Sequence, residues 1–208
     1  MSGKPRAVVV GVTGASGAVL ASRLLQALVG AQDTQVHLVV SKHGRMMLAE
    51  EMGVEGTGER LLRGFAGEAA ADRVRLHPAD DVGACIASGS YPTCGMVIVP
   101  CSANTLGCLA SGVTSNLIQR AADVTLKERR PLLLAFRETP LHEIHIQNML
   151  RLARAGATIF PVAPAFYHLP KTLDDIIDQY VARLLDHLNV SHSIGVRWSG
   201  REAASRKS

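Results

Sequence analysis

A glycine-rich segment near the start of the chain has the residue types that bind a phosphate group. Residues 11–17 read GVTGASG and stand between a run of valines and a segment with helical spacing. Glycines let backbone N–H groups approach an anion closely, and the N-terminus of the following helix favours negative charge. Thr13 and Ser16 add hydroxyl groups. The alternative is a simple glycine-rich turn in which Ser16 caps the helix.

The spacing of these glycines limits which phosphate compound fits. Gly11, Gly14 and Gly17 match neither the dinucleotide-binding pattern nor the P-loop, and the segment has no P-loop lysine. The second predicted strand ends in Ser41 and Lys42, whereas a dinucleotide-binding unit would place an acidic residue there for a ribose hydroxyl. The loop therefore predicts a site for a single phosphate, and FMN fits it better than NAD.

Polar residues also follow two other predicted strands. Ser102, Asn104 and Thr105 come directly after a hydrophobic run and suit a polar ring edge or a ribityl chain, although helix capping is the alternative. Arg137 and Glu138 follow the next run. An arginine can hold a phosphate with two hydrogen bonds, and a carboxylate beside it can move a proton. The alternative for this pair is an internal ion pair.

Aromatic residues are scarce, at 4% of the chain, so a tyrosine at the end of a strand is a candidate for substrate binding. Tyr167 lies in the segment APAFYHLP, between prolines, where its hydroxyl can bind a substrate oxygen. His168 beside it has no evident nucleophile to activate, and we interpret it as an ordinary polar residue.

Two patterns resemble metal sites, but neither has the features that would distinguish a metal site from an ordinary helix. DDIID at residues 174–178 opens a predicted helix, where acidic residues interact favourably with the helix dipole. His142 and His145 lie three residues apart on another helix, without an evident third ligand. The cysteines form no C-x-x-C motif, so we interpret them as small hydrophobic residues kept reduced. No metal is expected.

These residues must be positioned by a regular framework, which the hydrophobic pattern predicts. The predicted strands cover residues 7–12, 35–41, 95–102, 130–137 and 158–164, and the main helices 18–30, 42–52, 142–157 and 172–190. Alternation of strands and helices predicts a three-layer, doubly wound α/β fold of flavodoxin-like or Rossmann-like type, with a mostly parallel sheet. Residues 53–80, rich in glycine, alanine and charge, are interpreted as a variable excursion, with no helix or strand assigned to them. Ligands of such sheets bind beyond the carboxyl ends of the strands, where the polar segments lie.

Composition and charge are those of an ordinary globular domain. The chain has 208 residues, 47% hydrophobic and 19% charged, which predicts one domain over 1–208 with its core at about 6–190 and a polar tail at 191–208. The net charge of +4 is dispersed, so small anions are favoured over nucleic acid. The sequence shows neither a signal peptide nor an apolar run long enough to span a membrane, which predicts a cytoplasmic protein.

Longer runs of the sequence resemble one known family. These runs are VTGASGAVLASRLLQAL (12–28), PCSANTL (100–106), RAADVTLKERRPLLLAFRETPLH (120–142) and GATIFPVAPAFYHLPKTLDD (156–175). Over about residues 6–198 the chain resembles the UbiX/Pad1 family of flavin prenyltransferases. The resemblance implies a homo-oligomer, commonly a dodecamer, with active sites at subunit contacts. It also implies transfer of a dimethylallyl group from dimethylallyl monophosphate to reduced FMN without a metal, and delivery of prenylated FMN to a UbiD-type decarboxylase.

The resemblance also implies roles for individual residues. FMN would be held by Gly14, Ala15, Ser16, Ser41, Ser102, Ala103, Asn104, Thr105 and Arg137. Dimethylallyl phosphate would be held by Ser88, Lys127, Arg137, Tyr167 and Arg183. The catalytic set would be Glu138 for proton transfer, Glu51 as second acid, Lys127, Tyr167 and Trp198, with Glu50 an alternative to Glu51. Cations would stabilise the leaving phosphate while aromatic faces cover the allylic cation.

Other functions remain as alternatives. A flavin-dependent cysteine decarboxylase of the same fold would need a catalytic histidine on the first helix, and residues 17–29 contain none. The chain could also be an FMN-binding accessory subunit of an aromatic-acid decarboxylase, or that decarboxylase itself. An accessory subunit would be expected to lack Lys127, Glu138 or Tyr167, and all three are present.

Overall fold

The computed structural model, which describes residues 6–31 and 33–198, is built around a parallel six-stranded sheet. Its strands are β1 (Arg6–Val12), β2 (Thr34–Val40), β3 (Val74–His77), β4 (Gly95–Cys101), β5 (Leu132–Phe136) and β6 (Thr158–Ile159). They lie in the order β3-β2-β1-β4-β5-β6. The central strands are continuous runs of Val, Ile and Leu because both of their faces are buried.

Helices cover both faces of the sheet. They are α1 (Ala18–Gly30), α2 (Lys42–Met52), α3 (Gly58–Ala66), α4 (Ala70–Arg73), α5 (Ala103–Ala110), α6 (Leu117–Lys127), α7 (Glu143–Arg154) and α8 (Leu173–His187). One hydrophobic core joins β1 and β2 to α1, α3 and α8, and a second core joins β4 and β5 to α5 and α6. The predicted three-layer α/β fold is confirmed, and all strand pairs are parallel.

The variable segment 53–80 contains three elements that the sequence did not predict, namely α3, α4 and the edge strand β3. The strand was missed because it has only four residues and carries the exposed Arg75, unlike the apolar central strands. The amphipathic helix α3 buries Leu61, Leu62 and Phe65 against the core. The prediction for β6 was too long, because Pro161 and Pro164 follow its two paired residues and lack the N–H group that a strand needs.

The order of the strands determines where a ligand can bind. The chain winds outward from β1 in one direction and returns at β4 to wind in the other, so the connections leaving the ends of β1 and β4 diverge and leave a crevice. This crevice lies at the carboxyl edge of the sheet, beside Thr13 and Ser102. In the described part of the chain, no helix combines the length and apolar character that crossing a membrane requires.

Candidate active site

The Thr13 side chain joins the two loops of the crevice. Its hydroxyl donates to the carbonyl oxygen of Pro100 at 2.7 Å and accepts from the backbone N–H of Ser102 at 2.9 Å. Thr13 is buried, so these hydrogen bonds are shielded from water. The glycine-rich loop after β1 and the polar segment after β4 are thereby fixed against each other, as the positions of both at strand ends predicted.

Two further helices begin around the same crevice and present N–H groups to it. The Ser41 side chain caps α2 by accepting from the N–H of Gly44 at 3.0 Å, and the Ser102 side chain caps α5 by accepting from the N–H of Thr105 at 3.3 Å. The other N–H groups of a first helical turn have no partner within the helix. Together they form a positive environment suited to a phosphate or to polar flavin atoms. Capping and ligand binding are therefore compatible here.

Glycine at position 14 is required by close packing of the loop against α2. A Cβ atom at Gly14 would lie 2.4 Å from the Cβ of His43, which is far inside van der Waals contact. The residue at the start of α1 is Gly17, whose φ of 110° places it in the left-handed region that favours glycine. The alternative in which Ser16 caps α1 is wrong, because Gly17 occupies that position and no side chain of the cap residue takes part.

A carboxylate occupies the N-terminus of α1. The Glu51 side chain accepts from the N–H groups of Gly17 at 3.0 Å and Ala18 at 2.8 Å. Partial burial favours the neutral carboxyl, but the hydrogen bonds from Ala18, Ser16 and Gly17, together with the nearby Arg137 cation, outweigh it and hold the pKa of Glu51 below its usual value. Glu51 therefore lies at the glycine-rich loop, close enough to Arg137 for their charges to interact.

Arg137 and Glu138 leave the carboxyl end of β5 and are both exposed. The backbone N–H of Arg137 donates to the carbonyl oxygen of Cys101 at 3.2 Å, and the Glu138 carboxylate accepts from the N–H of Thr139 at 3.2 Å. The described residues contain several ion pairs, but Arg137 and Glu138 do not form one. The internal ion-pair alternative is therefore wrong, and both side chains are available to a ligand.

A pair of histidines, His142 and His145, lies near this strand end. The rings of His142 and His145 stack at 3.5 Å, and His142 caps α7 through the N–H of His145. The His145 ring also packs edge-on against Phe136, the residue before Arg137, at 6.0 Å. Its Nδ1 atom is buried and has no hydrogen-bond partner among the residues that the structure describes. Stacking with His142 accounts for the sequence spacing without a metal.

A second group of predicted residues lies at the same edge of the sheet, beside α8. Tyr167 and Arg183 line a cavity of about 360 Å³ that also contacts Phe160. The Trp198 ring stands perpendicular to that of Tyr167, with centroids 5.9 Å apart. The structure thus brings together Tyr167, Arg183 and Trp198, which are far apart in the sequence. Residues 199–208 of the predicted polar tail lie outside the described residues.

The Gln179 side chain links Tyr167 to the segment that carries Trp198, and the sequence analysis did not identify it. This buried side chain donates to the Tyr167 hydroxyl at 2.9 Å and accepts from the N–H of Val196 at 2.7 Å. It therefore fixes Tyr167 and the segment that carries Trp198 to α8. A lone polar residue on the buried side of an amphipathic helix was the sequence signal that could have identified it.

We expect Gln179→Leu to release Tyr167 and Trp198. Loss of these hydrogen bonds in a buried setting should weaken binding of dimethylallyl phosphate, the ligand that the sequence resemblance implies, roughly tenfold. Because Trp198 is the one tryptophan of the chain, its fluorescence reports this group directly and should shift to longer wavelength in the variant. The control is Gln147→Leu, at an exposed glutamine on α7. Unchanged emission and unchanged substrate affinity would show that Gln179 does not position this pair.

The third group of predicted residues lies at the opposite, amino edge of the sheet. Lys127 is the last residue of α6, and its ammonium group contacts the Glu128 carboxylate. Arg130 donates to the carbonyl oxygen of Gly89 at 2.7 Å and so holds the segment that contains Ser88 against this end of α6. A Cβ atom at Gly89 would lie 2.7 Å from the Lys127 nitrogen, which shows how closely Ser88 and Lys127 are placed.

The length of β5 separates Lys127 from Arg137. Lys127 precedes this strand and Arg137 follows it. A strand of five residues spans about 16 Å, so the two cations lie at opposite edges of the sheet. One chain therefore does not bring Lys127 and Ser88 to the crevice that contains Arg137 and Glu138.

Comparisons with known proteins agree over almost the whole chain. A family model described as "Flavoprotein" matches residues 1–186. A flavin prenyltransferase UbiX from Salmonella typhimurium is 49% identical, over 93% of this chain and 98% of its own. The crystal structure of AnUbiX (PadA1) in complex with FMN and dimethylallyl pyrophosphate has a TM-score of 0.84 and 42% identity, covering 95% of this chain and 99% of its own.

A second solved structure is similar in the same way. It is described as a dodecameric FMN-dependent UbiX-like decarboxylase from Escherichia coli O157:H7, and it has a TM-score of 0.83 and 40% identity. It covers 93% of this chain and 100% of its own. These matches confirm the family that the sequence motifs indicated. The chain belongs to the flavoprotein family, among the UbiX/Pad1 flavin prenyltransferases.

Proposed function

We propose that the protein transfers the dimethylallyl group of dimethylallyl monophosphate to the N5 and C6 atoms of reduced FMN and releases phosphate. The observation that carries this proposal is the crevice at the switch point, where the Thr13 bridge, the capped starts of α2 and α5, and Arg137 converge. Its donors suit FMN, because N–H groups at helix starts and an arginine bind phosphate and polar ring atoms. Bound there, reduced FMN supplies the nucleophilic atoms that the prenyl group joins.

In this proposal the residues of the crevice hold FMN, and the two carboxylates beside them handle protons. Glu138 is exposed and faces no internal ion-pair partner among the described residues, so it is free to exchange a proton at the reacting atoms. Glu51 is held ionised at the start of α1, where it also attracts Arg137. This placement supports Glu51 rather than Glu50 as the second carboxylate, and in its ionised form Glu51 would accept a proton rather than donate one.

The dimethylallyl phosphate requires positive charge for its phosphate and aromatic cover for its carbon chain. Breaking the allylic C–O bond leaves a carbocation and a phosphate, and cations stabilise the second while ring faces stabilise the first. Arg183, Lys127 and Arg137 supply the charges in this proposal, and Tyr167 and Trp198 supply the rings. Such a charge set does not need a metal ion to hold a monophosphate.

We propose that these groups meet only in an assembly, in which a neighbouring subunit brings Lys127 and Ser88 to the crevice of another. The separation of Lys127 from Arg137 by β5 supports this, and so do the exposed side chains around the aromatic group. Tyr167 and Trp198 are 55% and 66% exposed, and the neighbouring Phe166 and Leu169 are exposed as well. Large apolar surfaces of this kind mark subunit contacts. By similarity to the Escherichia coli protein, the assembly is a dodecamer.

The product, prenylated FMN, would serve a separate decarboxylase of the UbiD type. We also propose a cytoplasmic location, where thiols such as those of Cys85 and Cys101 stay reduced.

The activity is tested by mixing the protein with reduced FMN and dimethylallyl monophosphate without oxygen. We expect a flavin heavier by one five-carbon unit and release of one phosphate for each flavin modified, measured by mass spectrometry and a phosphate assay. Unmodified FMN with no phosphate release would contradict the proposal. A parallel sample receives a hydroxybenzoate in place of the prenyl donor, and carbon dioxide release there would support the decarboxylase alternative.

A further inference from the structure

A cluster of reactive side chains lies against strands β2 and β3, away from the flavin crevice. It contains His37 from the middle of β2, His77 from the end of β3 and Cys85 from the short helical turn Cys85–Ala87. Both histidines are buried, and one ligand atom from each of the three residues lies within 4.8 Å of the others. The chain positions are 40 and 8 residues apart, so no sequence spacing revealed the cluster.

Two of the three distances in this cluster are close to those of a tetrahedral metal site. Metal–nitrogen bonds of about 2.0–2.1 Å and metal–sulfur bonds of about 2.3 Å place two nitrogen ligands about 3.4 Å apart and a nitrogen about 3.6 Å from a sulfur. The Nδ1 atom of His37 lies 2.9 Å from the Nε2 atom of His77 and 3.9 Å from the sulfur of Cys85. The three ligand atoms lie within 4.8 Å of one another, so the His77 nitrogen and the Cys85 sulfur would have to approach by up to about 1.2 Å to hold a cation between them.

Tyr91 provides the outer partner that a histidine ligand needs. Its hydroxyl lies 2.9 Å from the Nε2 atom of His37, on the side of the ring that faces away from the cluster. When that hydroxyl accepts the Nε2–H, the lone pair of Nδ1 is directed towards His77 and Cys85. A hydrogen bond of this kind fixes the tautomer and orientation of a metal-bound histidine.

Burial, together with nearby positive charge, favours the neutral imidazoles, which is the form that binds a metal. Burial, followed by the neighbouring His77 and Arg75, lowers the pKa of His37 to about 4. Burial and Arg75 also lower the pKa of His77, and Asp81 opposes this shift. Arg75 would repel a dication, so the charge of a Cys85 thiolate is needed to compensate for it.

We propose that His37, His77 and Cys85 form a structural site for a thiophilic divalent cation such as Zn²⁺, with water as the fourth ligand. Binding would replace the hydrogen bond between the histidines and release the thiol proton of Cys85. Two imidazoles and one thiolate are ligands that Zn²⁺ prefers. This site is separate from the flavin crevice, since His37 precedes Ser41 by four strand residues, or about 13 Å.

The consequence of binding would be to fix the connection between β3 and β4. Residues 78–94 leave His77, pass through Cys85 and reach Ser88 and Tyr91 before β4 begins. A cation bound by two strand residues and one residue of this connection would lock it onto the sheet. It would thereby steady the segment that presents Ser88 at the amino edge.

The test uses Co²⁺ as a spectroscopic probe on chelator-treated, flavin-free protein under reducing conditions. We expect one equivalent to bind per chain, with a thiolate-to-cobalt charge-transfer band and the visible bands of tetrahedral cobalt, and Zn²⁺ to displace it. Cys85→Ser should abolish the charge-transfer band, and His77→Gln should weaken binding at least tenfold. The control is Cys108→Ser, at another partly buried free cysteine, which should leave the spectrum unchanged.

Thermal unfolding gives a second measurement that does not depend on a spectrum. Zn²⁺ should raise the Tm of the wild-type protein and of Cys108→Ser, but not that of Cys85→Ser, because a ligand stabilises only a fold that binds it. Wild-type protein that shows neither cobalt bands nor a Tm increase would overturn the proposal. A charge-transfer band that persists in Cys85→Ser would overturn the assignment of this cluster.

Discussion

Glu138→Gln is expected to slow formation of prenylated FMN by a factor of about 10²–10⁴ while leaving FMN bound. The amide keeps the size of the side chain and its ability to accept from the N–H of Thr139, but it cannot exchange a proton at neutral pH. FMN should remain bound because the Thr13 bridge and the capped helix starts do not involve this side chain. The measurements are the rate of product formation under anaerobic conditions and the FMN affinity from flavin fluorescence.

The matched control for this variant is Glu55→Gln, at an exposed glutamate in the segment between α2 and α3. It removes the same charge from the surface and should leave the rate within a factor of about two. If Glu138→Gln turned over at the rate of this control, Glu138 would have no part in proton transfer. If it lost FMN, Glu138 would instead be assigned to cofactor binding.

The residues at the carboxyl ends of strands were predictable because parallel strands all point the same way. The runs before Thr13, Ser41, Ser102 and Arg137 were strongly apolar, so their ends could be identified and placed at one edge of the sheet. The short edge strand β3 was not predictable by the same argument, because Arg75 interrupts its apolar pattern.

Contacts between segments that are distant in the chain could not be predicted from the sequence pattern. The hydrogen bonds of Glu51 to the start of α1 depend on where α2 ends relative to the loop, and spacing does not determine this. The link from Gln179 to Tyr167 and Val196 likewise depends on how the C-terminal segment folds back over α8. The edge of the sheet at which Lys127 lies could, however, be predicted from the sequence. A residue that precedes a strand lies at one edge of a parallel sheet, and a residue that follows the strand lies at the other edge.

The position of Lys127 leads to a second prediction with a large effect. Two variants that are inactive alone should regain activity when their chains assemble together. Lys127→Met and Glu138→Gln should each lose most activity as pure proteins, because each removes one charged group from every site. When both chains are produced together and purified through two different tags, some sites should combine an intact Glu138 with an intact Lys127 from a neighbour. Random mixing gives about a quarter of all sites this composition, so activity should return to about a quarter of wild type.

The control for rescue pairs two variants whose altered residues belong to the same edge of one chain. Arg137 and Glu138 are adjacent at the end of β5, so co-assembly of Arg137→Met with Glu138→Gln leaves every crevice with one defect. This mixture should stay inactive although it assembles to the same size as the Lys127 mixture. Size-exclusion chromatography measures the size of both assemblies. Inactivity of the Lys127 mixture as well would mean that Lys127 does not act across a subunit contact. Rescue in the Lys127 mixture alone would show that one active site combines Lys127 of one chain with Glu138 of another, as expected from the five residues of β5 that separate them within a chain.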